Sequence, residues 1–142
     1  MFSKEESRLL RQEFWISFGK SFPRKWLLYD TKIKGFSFKF HFDTKSALIA
    51  LDIEDDLENR IKYWEKLTSL KGILKNDFLP EIIFEEEYIL ENGKEISRIY
   101  LPLEQKVSIH NKNTWRDVME FFNENMDLFE SFFYEYSDII KD

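Results

Sequence analysis

Phe36-Ser37-Phe38-Lys39-Phe40-His41-Phe42 is the stretch that decides the fold. Four phenylalanines alternate with Ser37, Lys39 and His41. That period of two belongs to a β-strand with one face buried and the other wet. Gly35 breaks the chain just before it, as a bulge or a tight bend. Beyond a turn at Thr44-Lys45, residues 46–54 alternate again, with Ala47, Ile49, Leu51 and Ile53 on one face. A two-residue loop pairs Phe40 with Ile49 and Phe38 with Leu51. Both apolar faces then lie on the same side of a hairpin, as a core requires.

Upstream, Trp26 to Lys34 reads as a further strand. Ser3 and Glu6 form a capping box, so a helix is expected from Lys4. Leu10, Phe14 and Phe18 give it an apolar stripe, widened by Leu9 and Trp15. Gly19 is its expected stop, and Pro23 forbids continuation.

Downstream, Asp55 or Asp56 caps a second helix expected to reach about Lys75. Its buried stripe is Leu57, Ile61, Trp64, Leu67, Leu70 and Leu74. Residues 82–90 and 95–101 flank Asn92-Gly93, a strong hairpin signal. With those two residues as the turn, Ile89 faces Ile96, Glu87 faces Arg98 and Phe84 faces Leu101. A short strand is expected over Lys106 to Ile109. Thr114 and Asp117 then cap a long helix starting at Trp115. Met119, Phe122, Met126, Phe129, Phe133, Tyr136 and Ile140 form its seam, with Phe121, Leu128, Phe132 and Ile139 beside it. That apolar surface is broader than a two-stranded coiled coil needs, and packing across a sheet accounts for it. The expected architecture is α+β. A mostly antiparallel sheet of two hairpins is covered by three helices, the last one long, in a single domain over residues 1–142.

The composition agrees. Aromatic residues make up 18% of the 142 residues, with only 4 Gly, 3 Pro and no Cys. Rings of this size build a dense core without disulfides or thiolate metal sites. The apolar runs are far short of a bilayer span, and the N-terminus lacks the pattern of a secretory signal. Cytoplasmic residence, without membrane association, is the expectation. The net charge of −6 is uneven. Residues 1–50 carry 10 basic and 5 acidic side chains, whereas residues 51–142 carry 11 and 22. Such blocks are solvated surface, internal pairing, or a partner surface.

No motif specifies catalysis. Gly19-Lys20-Ser21 lacks the spacing and the preceding strand of a phosphate-binding loop. His41 and His110 have no metal-ligand spacing, and Ser37, His41 and Asp52 have no nucleophile elbow. Asp43, Asp52 and Glu54 are carboxylates near two adjacent strands. Metal-dependent nucleases arrange acids in this way around Mg²⁺. Here Glu54 stands where that pattern wants a lysine, and a cross-strand ion pair between Asp52 and Lys39 is the simpler reading. No cofactor is implied.

The basic stretch is the best functional clue. Lys20, Arg24, Lys25, Lys32, Lys34, Lys39 and Lys45 are interleaved with Phe22, Trp26, Tyr29 and Phe36. Cations that hold phosphates beside rings that stack bases suit single-stranded nucleic acid. Lys20, Arg24, Lys25, Trp26, Lys32 and Lys34 are the expected ligand-binding residues. Arg24 and Lys25 would contact the anion, and Trp26 would stack. The alternatives are an acidic protein partner, a degenerate Mg²⁺-dependent nuclease using Asp43, Asp52 and Glu54, and a homodimer or docking domain. The last would use the ring cluster Phe132, Phe133, Tyr134 and Tyr136 if it forms an exposed patch.

Several segments together suggest a family: Glu13-Phe14-Trp15, Phe18-Gly19-Lys20, Phe22-Pro23-Arg24-Lys25-Trp26, Ile33-Lys34-Gly35-Phe36-Ser37-Phe38, Asn111-Lys112-Asn113-Thr114-Trp115 and Phe132-Phe133-Tyr134. Over nearly its full length the chain resembles the prokaryotic domain-of-unknown-function family numbered 4268. Members stand alone or lie C-terminal to nuclease-like regions. The resemblance therefore implies DNA-related biology by analogy, and it supplies no catalytic residue.

Overall fold

Alternation between Phe36 and Ile53 produces the first hairpin in the computed structural model, which describes residues 2–142. Strand β1 is Phe36–Phe42 and β2 is Ala47–Ile53. Phe40 pairs with Ile49 and Phe38 with Leu51, the register required to put both apolar faces on one side. The Asp43 N–H bonds to the Ser46 carbonyl at 3.0 Å, closing the turn around Thr44-Lys45. Strands β3 (Ile83–Ile89) and β4 (Glu95–Pro102) form the second hairpin. The sheet is four-stranded and antiparallel throughout, in the order β1-β2-β4-β3.

Helix α1 (Lys4–Ser21) begins at the expected capping box, with Ser3 and Glu6 satisfying each other's backbone N–H groups. It runs through Gly19, so that glycine is interior and not the stop. Asp56 caps α2 (Leu57–Ser69) by accepting from the Asn59 N–H at 2.9 Å. The second helix does not continue to Lys75. Leu70 leaves helical geometry at φ −98° and ψ 1°, and a separate α3 follows at Lys71–Asp77. No Gly or Pro stands at the break. The Ser69 hydroxyl donates to the Lys66 carbonyl, and the Leu70 N–H reaches back to Leu67, tightening the last turn. Helix α4 (Trp115–Lys141) starts where expected, after a 3₁₀ turn at Lys112–Thr114. Thr114 is not its side-chain cap. Its hydroxyl serves the carbonyls of Ser108 and Asn111 instead.

Three further expectations are corrected. Trp26 to Lys34 is a loop, with Leu28 at φ 45° and Lys32 at φ 65°, left-handed positions that no strand accommodates. Lys106 to Ile109 has no ladder partner. Val107 and Ile109 are buried, but the segment is an extended cover whose Ile109 N–H bonds to the Asp43 carbonyl. In the second hairpin, Ile89 pairs with Glu95, Tyr88 with Ile96, Glu85 with Arg98 and Phe84 with Ile99. The Leu90 N–H bonds to the Lys94 carbonyl around Glu91-Asn92-Gly93, and Gly93 lies at φ 87°. A three-residue loop with a left-handed glycine thus replaces the two-residue turn and shifts the register. A bulge between Glu85 and Tyr88 shifts it again.

The core lies between the phenylalanine face of the sheet and the helices. Phe38 meets Phe129 and Phe133 of α4 at centroid distances of 5.1 and 5.6 Å. Phe42 meets Phe14 of α1, and Phe36 meets Tyr63 of α2. Rings at these edge-on angles add about 0.5–1.5 kcal/mol per pair beyond area burial. The seam of α4 is buried as expected, save half-buried Tyr136. Along the stripe expected for the second helix the burial starts late: Leu57 and Ile61 of α2 are exposed, while Leu67 of α2, Leu70 at the break and Leu74 of α3 are inside. The opposite face of the sheet carries Lys39, His41, Asp52, Tyr88, Arg98 and Tyr100. Among the described residues, no helix is long and apolar enough to cross a membrane.

Candidate nucleic-acid interface

Residues 22–35 join α1 to β1 without regular structure, and they hold Arg24, Lys25, Lys32 and Lys34 of the basic stretch. This loop is clasped at both ends. On the α4 side, the Glu130 carboxylate is buried at 2% exposure. It accepts from the Leu27 N–H at 2.7 Å and from Arg24 Nη2 at 3.0 Å. Asp127 takes the other arm of the same guanidinium. Burial alone would lower the Arg24 pKa, but Asp127 and Glu130 outweigh it and hold it above its ordinary value. On the sheet side, the Phe38 N–H bonds to the Leu28 carbonyl at 2.9 Å. The buried Thr31 hydroxyl donates to the Phe36 carbonyl at 2.6 Å. Gly35 turns the chain into β1 at φ 72°, with its carbonyl accepting the Glu54 N–H at 2.6 Å.

These contacts sort the expected binding residues. Arg24 is a structural cation. Its guanidinium lies 4.1 Å from the Trp26 ring centroid as well as on the two α4 acids. Trp26 is half-buried, edge-on to Phe40 at 5.4 Å and stacked with Phe18 at 6.4 Å. The Arg24–Asp127 and Arg24–Glu130 pairs also neutralise part of the charge asymmetry inside the fold. Lys20, Lys25, Lys32 and Lys34 are exposed. Lys32 bonds to Asp30, also exposed, at 2.7 Å. Tyr29, which sequence reasoning placed among the interleaved rings without giving it a role, is 74% exposed, the most open large aromatic of the described residues. Its neighbour Leu28 and the nearby Lys32 both occupy left-handed backbone. Each such residue costs about 1–2 kcal/mol, which the clasps must offset.

The acids are arranged otherwise. Asp52 is fully buried and receives a bidentate pair from Arg98, Nε at 2.6 Å and Nη2 at 2.8 Å. Lys39 adds a third contact at 3.2 Å and also bonds to Glu54 at 2.9 Å. The expected cross-strand pair is therefore present, within a larger network. Burial would raise the Glu54 carboxyl, but Lys39 and then Lys94 outweigh it and lower it. Asp43 lies at the hairpin end, where its carboxylate accepts from the N–H groups of Lys45 and Ser46 and contacts His41 Nε2 at 2.9 Å. Among the described residues, no cluster of three His, Asp or Glu side chains has the arrangement to hold a metal ion.

Arg98 also floors a cleft of about 510 Å³ on the open face, walled by His41, Leu48, Tyr88, Ile89 and Asn92. Tyr100 on the same face hydrogen-bonds to Glu85. Burial and that carboxylate push its phenol up to about 12. On α4, Phe132 and Phe133 are buried, so the aromatic patch on which docking through this helix rested is reduced to Tyr134 and half-buried Tyr136.

The family model described as Domain of unknown function (DUF4268) matches residues 10–137, nearly the whole chain. The chain belongs to that family. The match spans the loop, both hairpins and all but the ends of α1 and α4. No curated protein and no solved structure matches the chain.

Proposed function

We propose that this domain is a non-catalytic binding module that holds single-stranded nucleic acid on the loop at residues 22–35. The reading rests on Tyr29, a ring left in solvent on a loop that is ordered at considerable backbone cost. Lys25, Lys32 and Lys34 stand in the same loop, with Lys20 at its helical entrance. A ring that stacks one base and cations that follow the backbone are the two parts such a site needs. Arg24 and Trp26 support the loop from beneath. The net charge of −6 opposes non-specific duplex affinity and restricts binding to this one surface.

The test is fluorescence anisotropy with a short single-stranded oligonucleotide across a salt series. Tyr29→Ala should cost about 1–3 kcal/mol. Replacing Lys25, Lys32 and Lys34 by Ala should lower the slope of log K against log salt by about 0.7 for each phosphate no longer neutralised. Binding that follows the lysines but ignores Tyr29 would mean a plain polyanion site, such as one for an acidic protein, and would overturn the stacking reading.

A further inference from the structure

The outward face of α1 is unpartnered, and its pattern is self-complementary. Leu9 and Ile16 are 50% and 51% exposed, one heptad apart, on the side opposite the buried Phe14 and Phe18. Glu5 lies one turn before Leu9 on this stripe, and Lys20 lies one turn after Ile16. From N- to C-terminus the stripe therefore reads acid, apolar, polar (Gln12 and Glu13), apolar, base. Reversed and laid on itself, it matches. Leu9 meets Ile16 of a second copy, Glu5 meets Lys20, and the two-fold axis passes between Gln12 and Glu13.

We infer that α1 is the seam of a two-fold, antiparallel dimer of this chain. Charge complementarity names the occupant: Glu5, which holds an exposed pair with Arg8 of its own chain at 2.6 Å, turns from it to Lys20 of the partner, and both apolar contacts and both Glu5–Lys20 pairs close simultaneously when the partner is a second α1 running the other way. Glu13, the acid nearest the axis, is neutralised by Lys112 of its own chain at 2.8 Å, so the two copies do not repel there. Gly19 has open space where a Cβ would stand. One pair of helices about 27 Å long buries less than the roughly 800 Å² per partner of a standard interface. The dimer is accordingly weak and concentration-dependent.

Sedimentation equilibrium of the full chain over a wide concentration range tests this. Wild type should show a monomer–dimer equilibrium. Glu5→Lys and Lys20→Glu should each raise the dissociation constant at least tenfold, and the double exchange should restore it. Both substituted positions in these variants are exposed, and circular dichroism checks that the helices persist. The chain has no cysteine, so Leu9→Cys and Ile16→Cys proteins supply a second readout. Mixed and oxidised, they should form the crossed disulfide in preference to either like pair. A wild type that stays monomeric throughout, a double exchange no better than the single changes, or like-pair disulfides in excess would overturn the assignment. Lys20 belongs to both surfaces, but Lys25, Lys32, Lys34 and Tyr29, the residues changed in the oligonucleotide experiment, are not part of this seam, so that experiment stands or falls separately.

Discussion

Replacing Glu130 by Ala should loosen the loop at residues 22–35 without touching any residue on its surface. The carboxylate is buried and carries two duties. Its loss strands the half-buried Leu27 N–H, and an unsatisfied donor shielded from water costs about 1–3 kcal/mol. It also removes one partner of Arg24. That side chain is 34% exposed and keeps Asp127, so screening limits this part to about 1 kcal/mol. The sum is roughly 2–4 kcal/mol, a fall in Tm of about 6–15 °C for a chain of this size. Asp127→Ala, at a carboxylate half in solvent, should cost less than about 1 kcal/mol. Thermal melting gives the stability, and amide exchange at Leu27 gives the local effect. Leu28 and Lys32 should then relax from their left-handed backbone, and oligonucleotide affinity should fall although every surface lysine remains. A Glu130→Ala protein with wild-type Tm and wild-type exchange at Leu27 would refute the clasp.

Gly35→Ala should destabilise by more than about 2 kcal/mol, because its Cβ would stand 2.5 Å from the Glu54 carbonyl at a backbone of φ 72°; a urea midpoint matching wild type would refute this. Asp52→Asn should cost about 3–5 kcal/mol in denaturant unfolding, since it leaves the Arg98 guanidinium buried and unmatched; a near-neutral result would mean water enters the site. Burial would raise the Asp43 carboxyl, but the Lys45 N–H, His41 and the Ser46 N–H together lower it. Its folded pKa lies below its unfolded one, so its contribution is present above about pH 4 and is lost as pH falls through the folded value. Asp43→Asn keeps an acceptor for the turn, and its urea midpoint should fall less than that of wild type between pH 7 and pH 3; equal falls would count against this contribution.

Most of the fold was legible where side-chain period and burial coincide. The alternation from Phe36 to Phe42 and from Ala47 to Ile53 led to a register that the structure reproduces pair for pair. The α4 seam was legible for the same reason. The second hairpin was not, because Asn92-Gly93 is compatible with two- and three-residue loops, and only backbone geometry distinguishes them. The bulge beside Glu86 and Glu87 leaves no periodic trace among three consecutive glutamates. Val107 and Ile109 alternate inward without a partner strand, so their period reports burial and not a ladder. In the loop, Leu28 and Lys32 adopt conformations that glycine normally marks, and the loop around them is clasped by distant residues, Glu130 at Leu27, Phe38 at Leu28 and Phe36 at Thr31. For the same reason the sequence marked the basic segment but not which of its rings is open. Whether Trp26 or Tyr29 faces solvent depends on Phe18, Phe40 and Arg24, residues brought together only by folding.

The most direct test is backbone amide mapping by NMR during titration with a single-stranded oligonucleotide. The account predicts perturbations concentrated on residues 22–35, greatest around Tyr29, Lys32 and Lys34. Perturbations centred instead on the sheet cleft at His41, Tyr88 and Arg98, or none at low salt, would contradict it.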